Sequence, residues 1–335
     1  MASNNSSSIL QASNLIFIAN DAGYGALEDQ RLMAIFVVAT FLFLISLLGN
    51  FFTLITLCIN KSELKNPTYV AIWCLSFTDI IAVMSRFVAI QGAYFIDFDS
   101  CWSFMLVFTS ALTFMNCSAG QVVILSAVRF CMIRFPIQSL TLREKARTYI
   151  PLFSATNWII NIAIACGYGS HKYDQCVELG LNPRDYVTEA IWVTAITVVP
   201  LVTIGVLHVL KLRAMAQAMT SVNKQSRMMS MMVTLIAVVY IVSILPSFIT
   251  QVLYFCNLYG VIETLGYWFT VLSVTATMFL FLNLVSNPLI FFMFSIPARR
   301  ALRTLAKNVR AASRKFSMSK SSESTRTTVS MSLSD

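Results

Sequence analysis

The sequence predicts an all-α membrane protein, a seven-transmembrane helix bundle with a short amphipathic eighth helix. Three observations predict it. Hydrophobic residues make up 57% of the chain and charged residues only 12%, with a mean hydropathy of +0.72; a soluble domain has about a quarter of its residues charged. Seven stretches, at 32–59, 67–96, 101–133, 149–167, 187–210, 228–255 and 264–294, are apolar or nearly so, and each reaches or approaches the roughly 20 residues that cross a bilayer. With the N-terminus outside, all but four of the 24 Lys and Arg residues fall on the cytoplasmic side, the four being Arg31, Arg86, Lys172 and Arg184. Cytoplasmic loops hold such an excess, and the opposite orientation would put the basic tail outside.

The expected organisation is an extracellular tail over 1–30, the bundle over 31–295, a membrane-surface helix over 296–312 and a disordered cytoplasmic tail over 313–335. The net charge of +9 then belongs to loops beside the lipid and not to a nucleic-acid surface. The first 20 residues are Ser/Asn-rich without a basic start, so no secretory signal is expected. Sequons at Asn4 and Asn5 suit an outer N-terminus. The triplet at Asn116 falls inside the third span and is expected to stay unmodified.

In the first span, Gly49 and Asn50 stand together, and the asparagine is expected to bond to a neighbouring helix. The second carries L-S-F-T-D ending at Asp79, the one acid deep within a span. A carboxylate there costs about 2.5–3.5 kcal/mol on insertion scales and belongs inside the bundle. It must be paired, protonated or bound to a cation, with Asn50, Ser118, Asn283 and Ser286 as partners. Arg86 lies seven residues further out, two turns along the same face. Either it meets a ligand carboxylate or amide carbonyl, or it snorkels to the headgroups.

The third span opens with Cys101 and closes on S-A-V-R-F around Arg129. Cys176 falls in the loop between spans four and five, while Cys166 and Cys256 lie near outer helix ends, so more than one oxidised pair fits. Trp158 marks the fourth span, and Pro200 and Pro246 are expected to bend the fifth and sixth. The seventh reads N-L-V-S-N-P-L-I-F, placing Asn283, Ser286, Asn287 and Pro288 in lipid. Such groups need satisfaction by neighbouring helices. Over 296–312, Leu302, Leu305 and Val309 recur opposite Arg299, Arg300, Arg303, Lys307 and Arg310, the pattern of a helix lying on anionic lipid. The Ser/Thr-rich residues 313–335 offer kinase targets.

In order, Gly49–Asn50, Leu75–Asp79, Cys101, Arg129 with Pro136, Trp158, Cys176, Pro200, Pro246 and N-P-L-I-F at 287–291 resemble the rhodopsin-like (class A) G-protein-coupled receptors, over residues 32–310. The chain departs from that pattern at Val128, where the family has an acid, and at Ile244, where it has tryptophan. Lys224 and Arg227 stand where an acid closes helix six, and Phe291 replaces a tyrosine. These departures look most like divergent invertebrate peptide and chemosensory receptors.

The resemblance implies a plasma-membrane receptor, N-terminus extracellular, with a Cys101–Cys176 disulfide. It implies a ligand in the outer half, a heterotrimeric G protein at Arg129 and Phe130, and arrestin and receptor kinase at the tail. It also implies a sodium ion at Asp79, Ser118, Asn283 and Ser286, and a switch including Asn50, Asn287 and Pro288. No enzyme activity and no other cofactor are expected.

An amine anchor is missing, since 101–134 holds no acid, and no lysine between Lys224 and Lys307 offers a retinal Schiff base. The acids Asp97, Asp99, Asp174, Glu178, Asp185, Glu189 and Glu263 favour a cationic ligand. A basic or amidated neuropeptide comes first, with candidate contacts at Arg86, Gln91, Phe108, Ala111, Glu189, Tyr254 and Tyr267. A small odorant-like molecule comes second. A membrane hydrolase lacks its metal cluster, the only histidines being His171 and His208. A transporter or channel, the alternative of another class, should show internal repeats or several intramembrane charges.

Overall fold

The computed structural model describes residues 27–95, 101–135, 139–178, 191, 197–217, 224–258, 267–296, 298–301, 303–304 and 307. Asn4, Asn5, Glu189 and the tail 313–335 lie outside them. At Gln91, Cys101, Phe108, Cys176 and Tyr267 the backbone is helical, and the side chains lie outside the described residues.

Seven long helices follow one another: α1 (Leu27–Ile59), α2 (Pro67–Phe95), α3 (Cys101–Arg134), α4 (Ser139–Glu178), α5 (Val199–Gln217), α6 (Lys224–Leu258) and α7 (Tyr267–Phe294). Each contains a segment long and apolar enough to cross a membrane, and no strand occurs among the described residues. The chain is thus an all-helical, multi-pass membrane protein by architecture. After Phe294 the described residues 296, 298–301, 303–304 and 307 are helical; they are too few to define the amphipathic helix as an element.

Side chains are sorted inside out. Val37, Phe41, Leu44, Leu48, Phe51, Ile55 and Ile59 recur every three or four residues of α1 and all face outward. Asn50, Thr53, Thr78, Asp79, Gln121 and Asn287 are buried. In water that arrangement would waste the hydrophobic effect; in a hydrocarbon solvent the outward stripe costs nothing and the polar groups find partners within. α3 is the central post, packing against α2, α4, α5 and α6, while α1 closes the ring by lying against both α2 and α7.

Local chemistry sets the ends. Asn66 accepts a hydrogen bond from the Thr68 amide at 3.1 Å and caps α2, with Pro67 at the first helical position, where a missing N–H is harmless. α4 exceeds the expected span 149–167 at both ends, so Cys176 stands in its last turns instead of a loop. The added first turns carry polar residues, yet they bury Ala146. They also tie Arg147 to the α1–α2 connection, its Nη2 donating to the Lys61 carbonyl at 2.6 Å. A helix continuing past the lipid keeps its hydrogen bonds but loses its hydropathy signal. Pro200 lies in α5 directly after a π-helical turn at 197–198. Pro246 and Pro288 lie inside continuous helices.

Candidate functional site

Two apolar clusters fill the bundle. One gathers Leu57, Leu75, Val122 and Ile290 toward the end where the basic loops lie; the other holds Phe43, Val83, Phe281 and Leu284 toward the opposite end. On each of α1, α2 and α7 the polar residue sits between members of the two: Asn50 between Phe43 and Leu57, Asp79 between Leu75 and Val83, Asn287 between Leu284 and Ile290. The polar groups therefore share one layer.

At its centre is Asp79, with no exposed surface. Its Oδ1 accepts from the Ser118 hydroxyl of α3 at 2.5 Å and its Oδ2 from the Asn287 amide of α7 at 2.7 Å. One carboxylate thereby joins three helices. Beside it, Pro288 has no N–H to donate to the Leu284 carbonyl four residues back. Asn50 of α1 supplies the missing donor, its Nδ2 lying 3.2 Å from that carbonyl and 3.0 Å from the Ser46 carbonyl. Gly49 makes the approach feasible, since a Cβ there would stand 2.8 Å from Pro288 Cγ. The Gly-Asn pair of α1 is thus shaped to the Asn-Pro pair of α7: one residue admits the proline ring and the next caps the carbonyl the ring sets free.

The buried Oδ1 atoms of Asn50, Asn283 and Asn287 accept nothing from the described residues. Asn283 and Asn287 are four residues apart and share a face of α7. A carboxylate with hydroxyl and amide oxygens is a hard-oxygen set of the kind that holds a small cation, so these residues fit a sodium ion. The Ser286 hydroxyl donates to the Leu282 carbonyl of its own helix at 2.6 Å, which leaves its oxygen lone pairs open to a cation.

Polar contacts also fix α4, and the sequence reading passed over most of them. Gln121 donates to Ser154 at 2.6 Å, Asn157 to the Cys117 carbonyl at 2.9 Å, and Trp158 to Thr78 at 3.2 Å. Gly120 leaves room for the Asn157 amide, onto which a Cβ would fall directly.

Arg129 lies near the basic end of α3 and is only 2% exposed. Its Nη2 donates to the Ser226 hydroxyl of α6 at 2.7 Å and also to the Ser226 carbonyl. The sequence offers Arg129 no acid at Val128, Lys224 or Arg227, and a serine gives it two oxygens instead. Ser226 escaped sequence reading because nothing in K-Q-S-R marks it; only the fold of α6 over α3 brings it there. Arg129, Ile133, Met215, Ser226 and Arg227 line a cavity of about 290 Å³ between α3, α5 and α6. Lys211 of α5, 1% exposed, adds a second buried cation within electrostatic reach of Arg129. Phe130 packs its ring edge-on to Phe135 at 6.2 Å.

Toward the opposite end, Arg86 is buried and Ala111 is fully enclosed, while Tyr254 is half-buried beside Phe255. Cys58, Cys74, Cys117, Cys131, Cys166 and Cys256 carry free thiols, which removes Cys166 and Cys256 as alternatives in a disulfide. The described residues contain no His/Cys/Asp/Glu group fit for a transition metal. Comparison of the chain with protein-family models gives no match, and neither does comparison with curated protein sequences.

Proposed function

We propose that this chain is a rhodopsin-like G-protein-coupled receptor of the plasma membrane, N-terminus outside, that binds an extracellular ligand and activates a heterotrimeric G protein. The observation that carries the reading is the Asp79 layer: one carboxylate joins α2, α3 and α7 beside a proline-interrupted turn whose freed carbonyl is capped from α1. Buried polar joints of this kind can exchange partners without unfolding a helix, and a two-state element is what a signal across a membrane requires.

The Arg129–Ser226 contact supports the same reading, since it ties α3 to the first turns of α6. Release of that contact would let α6 move outward and widen the cavity of about 290 Å³ beside it. Arg129 and Arg227 then face a G-protein segment, with Phe130 at the rim. A sodium ion at Asp79, Ser118, Asn283 and Ser286, beside Asn287, would add a positive charge that steadies the carboxylate in the resting arrangement. The chain's own part is to hold that site open between α2, α3 and α7. The basic residues 296–310 would lie along anionic lipid, and the tail would take kinase and arrestin.

The transporter reading draws on the buried charges Asp79, Arg86, Arg129 and Lys211. Against it, α7 runs unbroken through Pro288, whereas a transporter site is built from interrupted helices. The test uses cells expressing the full chain, challenged with peptide and odorant libraries while G-protein dissociation and ion flux are recorded together. A G-protein response abolished by Arg129→Ala at unchanged surface expression is expected. An ion flux that survives Arg129→Ala, with no G-protein response, would sink the proposal.

A further inference from the structure

We infer that the ligand carries a carboxylate and that Arg86 of α2 is the group that receives it. The inference rests on the receptor reading for the word ligand, but the anion site itself does not.

Arg86 and Asp79 are separated by two turns and leave the same face of α2. Asp79 points inward, bonded to α3 and α7, and Arg86 follows it. It is only 4% exposed, one turn beyond the buried Ala82 and Val83 and next to Phe87, whose ring stacks on Phe43 of α1 at 4.1 Å. A guanidinium snorkelling to headgroups would lay its stem along the outer surface of the helix. The observed burial excludes that arrangement.

Among the described residues nothing answers this charge. Arg86 makes no hydrogen bond, its Nε is sealed from solvent without an acceptor, and no charged side chain acts on it. The acids whose side chains are described are Glu63, Asp79 and Glu144. Asp79 is taken by Ser118 and Asn287, and the other two lie at the basic end. Arg129 shows how this chain satisfies a buried guanidinium when it uses its own atoms, with two oxygens of Ser226. Among the described residues no such provision exists at Arg86. An uncompensated buried charge is strongly destabilising, so its retention in the half that faces the ligand marks a site completed from outside.

The chemistry of the missing partner follows from the donor. A guanidinium offers a planar fork of parallel N–H groups that matches a carboxylate in two hydrogen bonds. Among the described residues no second basic group stands beside Arg86, and one cation balances one negative charge, which suits a carboxylate better than a phosphate monoester. Of the first choice from sequence, the amidated peptide is set aside, leaving a basic peptide with a free C-terminal carboxylate or a small carboxylic acid.

Two measurements test this. In the first, full-length chain in lipid nanodiscs is melted with sodium benzoate, with benzamide and with sodium chloride. Benzoate alone is expected to raise the melting temperature, by at least about 2 °C, and to do nothing to Arg86→Met. Without ligand, Arg86→Met is expected to melt above the parent, because an unpaired charge is gone. Equal effects of benzoate and benzamide, or a lower melting temperature for Arg86→Met, would overturn the anion site. In the second, cells are challenged with matched peptides as free acids and C-terminal amides, and with carboxylic acids beside their methyl esters. Responses from the acids alone are expected, with potency reduced about a hundredfold by Arg86→Gln and partly restored by Arg86→Lys. Free acids answer for the peptide source and the small acids for the other. Amides or esters as potent as the acids would overturn the inference and leave the receptor standing. Selective protection by benzoate without any G-protein response would instead leave the anion site standing and remove the receptor.

Discussion

Ser226 and Asp79 each hold a charged or polar joint that a single substitution can open. A hydrogen bond to a charged group contributes about 1.5–3 kcal/mol, and about 1.4 kcal/mol is a factor of ten in an equilibrium. Ser226→Ala removes the hydroxyl from Arg129 but keeps the carbonyl, so basal signalling is expected to rise up to roughly tenfold. Basal G-protein turnover in membranes, normalised to surface receptor, checks this; a fall would mean that Ser226 serves the active state. Asp79→Asn keeps the shape of the layer and removes the charge that a cation needs. Ligand affinity is then expected to become indifferent to exchange of sodium for a large organic cation, read in competition binding. Persisting sodium dependence in the variant would place any cation elsewhere. Asp79 and Arg129 were both legible in the sequence, as an acid deep in a span and as the charge closing the third. Ser226 was not, because a serine in a polar stretch carries no periodic or compositional mark. The bond of the Ser286 hydroxyl to the Leu282 carbonyl of its own helix was not legible either.

At the scale of the helices, close approach is decided by what the facing element lacks. Asn50 exists opposite Pro288 because the Leu284 carbonyl needs a donor. Asn50→Ala should therefore lower stability by about 1–3 kcal/mol, the usual consequence of a buried acceptor left alone. Pro288→Ala lets residue 288 donate to Leu284 along the helix, so the double variant should lose less than the sum of the singles. Thermal melts of the four proteins in detergent give the coupling; strict additivity would mean that the two positions act separately. Glycines offer a second contrast. Gly120→Ala drives a methyl into the Asn157 amide and is expected to destabilise the α3–α4 seam, by about 1–3 kcal/mol as for other overpacked cores. Gly205→Ala meets open space and should stabilise α5, by about 0.5–1 kcal/mol, through helix propensity alone. Equal effects of the two in the same melting assay would rule out the packing account.

For the whole molecule, the outward stripes of valine, leucine and phenylalanine together with the skewed basic loops set a testable topology. An epitope tag placed after Asp335 should be reached by antibody only in permeabilised cells, and one placed before Met1 in intact cells as well. The reverse pattern would invert the receptor and put Arg129 on the wrong side of the membrane. Architecture and topology lay open in the sequence because both are sums over many residues: hydropathy adds along about 20 positions per span, and the basic bias adds over whole loops. Helix ends beyond the lipid were not open to that reading, as the length of α4 shows, because a helix in water keeps its hydrogen bonds without being apolar.

By itself the sequence determined that seven apolar helices are threaded with a few polar groups, and it singled out several of them, Asn50, Asp79, Arg129 and Asn287 among them. Only the tertiary structure decided their partners: that Asn50 caps Leu284, that Asp79 holds Ser118 and Asn287, that Arg129 rests on Ser226 and that Arg86 rests on nothing described. The reason is physical. Burial of a polar group is a property of its own helix, whereas its satisfaction depends on the rotation and depth of a neighbour far away in the chain, and no local pattern carries that information.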